Sequence, residues 1–114
     1  MTTKATKSAS NALPARYLKF QKAYPKVFRT YAALGAATQE AGPLSRKTRA
    51  LAKLAIALGA RMEGAVHSHT RRALEAGCTP DEIRHVVLLA TTTIGFPAMM
   101  SGMSWVEDVL LPKS

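Results

Sequence analysis

Glu63 and His67 stand four residues apart, a spacing that brings two side chains together on one face of a helix. An imidazole beside a carboxylate can be an exposed pair, a proton carrier tuned by the carboxylate, or half of a metal site. His69 lies two positions beyond His67, about 200° further round a helix. The two imidazoles therefore do not reach one ion from a single unbroken helix. A shared ion would need a second subunit or a break in the helix, and no metal site is expected. His85 follows Arg84 on a separate, capped segment and reads as a structural or surface residue. Cys78 is the sole cysteine, which excludes an internal disulfide, a Cys-x-x-Cys redox pair and a cysteine-based zinc site. It follows Gly77 and reads as a loop thiol to be checked for reactivity. There is no glycine-rich phosphate loop, and no cofactor is expected.

The segments that position these residues read as helix from Leu13 onward, with no run of alternating β-branched residues. Pro14 opens a helix over 14–24, and Pro25 separates it from a second over 25–41 that ends before Gly42-Pro43. Residues 45–60 follow, with Leu51, Leu54, Ala55 and Leu58 on one face and alanines that permit close helix approach. The helix over 61–76 continues past a bend near Gly59, carries all three of Glu63, His67 and His69, and stops at Gly77. Thr79-Pro80-Asp81-Glu82 is the clearest local signal: a cap, a proline at the first helical position and the glutamate of a capping box. The helix it starts carries Ile83, Val86, Val87, Ala90 and Ile94 on one face and ends at Gly95-Phe96-Pro97.

A last helix spans 98–111. Its Met99, Met100 and Met103 read as an interface, and its Trp105 as a buried ring with a paired N–H. Glu107 and Asp108 fall near its C-terminal end, where the helix dipole disfavours anions. A basic neighbour from another helix or another subunit is expected to offset that cost. The fold class is an all-α small helical bundle of five to six helices. It forms one domain over 13–114, after a disordered basic tail over 1–12.

Composition agrees. The 114 residues are 47% hydrophobic and 20% charged, the profile of a single soluble globular domain. No apolar run reaches the roughly 18 residues of a membrane span, and no signal-peptide centre is present, so a cytoplasmic protein without membrane contact is expected. The net charge of +9 is lopsided: residues 1–53 hold eleven Lys or Arg and one acid, Glu40, whereas 54–114 hold five bases and six acids. Arg16, Lys19, Lys22, Lys26 and Arg29 fall within about 140° of helix arc. Leu18, Phe20, Tyr24, Phe28 and Tyr31 supply apolar surface. The stripe reads first as a solvated face with aromatics that pack. Contact with an acidic partner or nucleic acid is the alternative.

Several blocks then occur in a set order. They are Arg49-Ala50-Leu51-Ala52-Lys53-Leu54-Ala55, His69-Thr70-Arg71-Arg72-Ala73-Leu74-Glu75-Ala76-Gly77, Thr79-Pro80-Asp81-Glu82-Ile83 and Gly95-Phe96-Pro97-Ala98. In these, the stretch 44–110 resembles the carboxymuconolactone decarboxylase and alkylhydroperoxidase D-like family. The resemblance implies an all-helical bundle of the alkylhydroperoxidase D-like type that assembles as trimers or hexamers. It also implies two chemistries. The peroxidase branch carries Cys-x-x-Cys-x-x-x-His and a relay glutamate one helix earlier. Here the cysteine positions hold Met62 and Ala65, the glutamate position holds Ala50, and only His69 is kept, which argues against thiol peroxidase activity.

The decarboxylase branch needs cations for carboxylates and an acid for the resulting carbanion or enolate. On that reading His69 is the acid–base group, with His67 and Glu63 as further catalytic candidates. Arg49 or Arg61 would hold a carboxylate, and Met62, Phe96, Met99, Met103 and Trp105 would line an apolar pocket. The expected partners are a small carboxylated molecule and further copies of the chain. A non-enzymatic interaction module that kept the fold and lost the site is the competing reading.

Overall fold

The computed structural model describes residues 14–111, and the tail expected over 1–12 lies outside them. The described residues form six α-helices and one 3₁₀ turn, with no strand, which is the all-α fold expected. The helices are α1 (Ala15–Ala23), α2 (Pro25–Glu40), α3 (Arg46–Gly59), α4 (Glu63–Glu75), α5 (Pro80–Leu89) and α6 (Phe96–Leu110), with the 3₁₀ turn Ala90–Thr92 after α5. They divide into two compact units, one ending at Leu44 and one running from Ser45 onward.

In the first unit, Pro25 lacks an N–H and opens α2 as its first residue, while Tyr24 leaves helical geometry between α1 and α2. The aromatics pack on one another. Tyr17 meets Phe28 edge to face at 5.7 Å, and Phe20 meets Tyr24 at 5.5 Å. No side chain of α1 or α2 is buried, and Leu18, Tyr31 and Leu34 remain exposed.

The second unit has a core. Leu54, Ala57 and Leu58 of α3, Val66 and Ala73 of α4, Ile83 and Val87 of α5, and Met99 and Val106 of α6 are buried together. Full burial of one such aliphatic side chain is worth about 1.5–3 kcal/mol. Thr70, the buried polar residue here, donates its hydroxyl hydrogen to the Val66 carbonyl at 2.7 Å. Gly102 sits buried in α6 where a Cβ would collide with Leu58, so its bareness makes room for that side chain of α3 in the core. Met99 is therefore core of its own chain rather than an interface residue, while Met100 is exposed.

The helix ends explain where the chain turns. After α4, Gly77 adopts φ 94°, Gly77 N–H donates to Leu74 O at 3.0 Å and Cys78 N–H to Ala73 O at 2.9 Å. This is a Schellman stop, and it turns Cys78 inward beside the core. After α3 the same bonds recur, with Arg61 N–H donating to Leu58 O and Met62 N–H to Ala57 O. The left-handed residue there is Arg61, φ 59°, two positions after Gly59, so the chain turns near that glycine as expected. A non-glycine residue in that geometry costs about 1 kcal/mol. The capping box stands as expected: Glu82 N–H donates to the Thr79 hydroxyl at 3.0 Å, and Thr79 N–H to the Glu82 carboxylate at 2.8 Å. The helix begun there ends at Leu89 and tightens into the 3₁₀ turn, so Ile94 stands outside it and is exposed.

Candidate functional site

α4 presents its two histidines to different neighbours, as their separation round the helix requires. His69 is half-buried. Burial pushes its imidazole below the usual value of 6.5, and the positive charges of Lys53 on α3 and Arg72 on α4 push it further the same way. Burial and the two cations favour the neutral form of the imidazole, which can accept a proton, and the cations favour an anionic ligand beside it. Arg72 is three residues from His69 and legible as a helical neighbour. Lys53 was missed, because only the packing of α3 against α4 brings it near.

His67 faces α6. Its Nε2 lies 2.9 Å from an Asp108 carboxylate oxygen and 3.9 Å from one of Glu63. Sequence spacing pairs Glu63 with His67, and the fold adds Asp108 from another helix. The expected compensation at the end of α6 is present within the chain. Arg84 of α5 donates to both oxygens of Glu107 at 2.7 and 3.0 Å, holding that carboxyl below its usual range. Asp108 is met by His67.

The remaining candidates are scattered. Arg49 is half-buried on α3. Arg61 is exposed, with its guanidinium 5.9 Å from the centre of the half-buried Trp105 ring, a cation–π contact. Met62 and Phe96 are exposed at the starts of α4 and α6, Met99 is core, and Met103 packs against the core. An apolar groove of about 390 Å³ lies elsewhere on this unit, lined by residues including Leu51, Ala55, Leu58, Val86, Leu89 and Ile94. None of the residues expected to bind substrate lines it, nor does His69.

Cys78, read as a loop thiol to be checked for reactivity, follows the end of α4 and packs with the core. It is buried, its S–H points to the Lys47 carbonyl at 3.8 Å, and burial followed by the Glu82 charge raises its pKa against a smaller opposing pull from Lys47. A thiol kept protonated is a weak nucleophile.

A family model described as the carboxymuconolactone decarboxylase family matches residues 25–108. A protein of Haemophilus influenzae (strain ATCC 51907 / DSM 11121 / KW20 / Rd), described as an uncharacterized protein, is 44% identical over 52 residues, 46% of this chain and 46% of that protein. The match thus spans less than half the length of that curated relative. No solved structure matches.

Proposed function

The chain belongs to the carboxymuconolactone decarboxylase family, and from that premise we propose that it is a lyase or isomerase acting on a small carboxylated substrate, with His69 as the acid–base group. The observation that carries this is the half-buried imidazole of His69, whose proton affinity is lowered by burial and by the charges of Lys53 and Arg72. At neutral pH it is ready to take a proton from carbon or from an activated oxygen. A substrate carboxylate drawn in by the two cations would cancel their repulsion and raise the imidazole's basicity, so that binding itself readies the base. Arg49 and Arg61 are further carboxylate contacts in this reading. Met62 and Phe96, both exposed, are accessible to an apolar part of the ligand, whereas Met99 is buried in the core and does not contact it in this reading.

Thiol peroxidase chemistry is outside the reading, since the one thiol is buried and protonated. Assembly of several copies, as trimers or hexamers, belongs to it, since Ile56, Leu89 and Met100 leave apolar surface in need of a cover.

The test is a thermal-shift panel of lactone and keto carboxylates, followed by turnover of any ligand that binds. A hit should raise the wild-type midpoint by mass action. His69→Ala should lower turnover by about a hundredfold or more; an unchanged rate removes His69 from the mechanism.

A second reading rests on the exposure of Arg16, Lys19, Lys22, Lys26 and Arg29 in the first unit. As an interaction surface for nucleic acid, that stripe should bind with a steep salt dependence and lose binding on charge reversal of the lysines.

A further inference from the structure

The end of α6 carries two adjacent acids with different surroundings. Glu107 is neutralised by the Arg84 fork. Asp108 instead faces an imidazole and a second carboxylate, that of Glu63. One ligand atom from each of Glu63, His67 and Asp108 lies within 4.8 Å of the other two. The three come from two helices that pack on each other, so the backbone holds the group together. Two carboxylates and one imidazole form a donor set that lacks a compensating full positive charge whenever His67 is neutral. The C-terminal carbonyls of α6 add negative potential beside Asp108.

We propose that Glu63, His67 and Asp108 bind a divalent transition-metal ion of the zinc or manganese class between the start of α4 and the end of α6. The imidazole nitrogen selects against calcium and magnesium, which take oxygen ligands, and the two carboxylates select against copper(I) and other soft ions. Ligand atoms on one zinc, with bonds of about 2.0–2.2 Å, stand roughly 3.3 Å apart in a tetrahedron. The 2.9 Å between His67 and Asp108 opens slightly to reach that spacing, and the 3.9 Å between His67 and Glu63 closes slightly. Glu63 and Asp108 are both exposed enough to make the adjustment by side-chain rotation. His67 gives up its hydrogen bond to Asp108 and binds through the Nε2 lone pair. Three protein ligands leave at least one position for water or for an oxygen of a small anion. The ion ties α4 to α6 through Glu63, His67 and Asp108 and does not involve His69, so this site stands independently of the acid–base role given to His69.

The experiment titrates the full-length, chelator-treated protein with Zn²⁺ alone and with Mn²⁺ alone, by calorimetry and by thermal shift. One ion per chain and a raised midpoint are expected with Zn²⁺, Mn²⁺ or both. His67→Gln and Asp108→Asn should each weaken binding at least tenfold, while His69→Ala binds as wild type. Co²⁺ gives an independent readout, with visible absorption in wild type that disappears in His67→Gln. Circular dichroism of the metal-free variants separates lost ligation from lost folding. Glu63→Gln, at an exposed position, is the variant to use if either of the others unfolds. Absence of binding to the wild-type chain overturns the proposal, as does binding that survives these ligand substitutions.

Discussion

From Ser45 onward the helices bury Leu54, Val66, Ile83, Val87 and Val106 completely, whereas α1 and α2 bury none of their side chains. Both regions are helical and both contain large apolar residues. What separates them is a second surface. In the later region the apolar stripes of α3, α4, α5 and α6 face one another. In the earlier region Tyr31 is 70% exposed and Leu34 61% exposed, with ring contacts as the visible packing. Helices of 9 and 16 residues are marginal in water by propensity alone, so helix formation and helix stability are separate questions.

The sharpest test of that contrast pairs two leucine truncations. Leu54→Ala should cost about 2–5 kcal/mol in denaturant unfolding, because it leaves a cavity in a closed core. Leu34→Ala should cost less than about 0.5 kcal/mol, as for an ordinary surface change. A large loss at Leu34 would break the comparison and show that α2 is covered in solution.

Gly102→Ala comes next. Collision with the buried Leu58 should cost about 1–3 kcal/mol, offset by up to about 1 kcal/mol of gained helix propensity. A net loss is expected, read as a lower thermal midpoint. A gain would mean that Leu58 has room to move, and that the core is looser than its burial indicates.

The smallest expected effect is in pH. The folded value of His69 lies below 6.5, so the native state binds fewer protons than the unfolded chain in that window. Its contribution is present above pH 6.5 and is lost as pH falls through the lowered folded value. Glu107, also lowered in the folded state, adds a second loss beginning below its unfolded value of 4.5. Midpoints measured against pH should show both falls. His69→Gln should flatten the upper one and leave the lower; an unchanged upper slope would mean that His69 is not held neutral by the fold.

The parts legible beforehand were those decided within one turn of chain. Thr79 and Glu82 exchange hydrogen bonds across three residues, Pro25 lacks the donor a continuous helix needs, and Gly77 takes a left-handed stop at no steric cost. The expected basic neighbour for the acids ending α6 also appeared, as Arg84 and His67. Other features escaped because local rules pointed elsewhere. The chain turns near Gly59 as expected, but that Arg61 takes the left-handed position, with its guanidinium over Trp105, was not legible. The methionines looked like an interface, but Met99 fills the core.

The sequence by itself determined the helices, their principal stops, the absence of a cysteine pair and the candidacy of Glu63, His67 and His69, since each follows from residue type and short spacing. The tertiary structure decided which neighbours those residues meet. Lys53 reaches the surroundings of His69 through the packing of α3 on α4, and Asp108 reaches His67 through the packing of α4 on α6. Both depend on how buried stripes lock helices into register. Charge and proton affinity at a site are set by distances across that packing, which no single helix's periodicity contains.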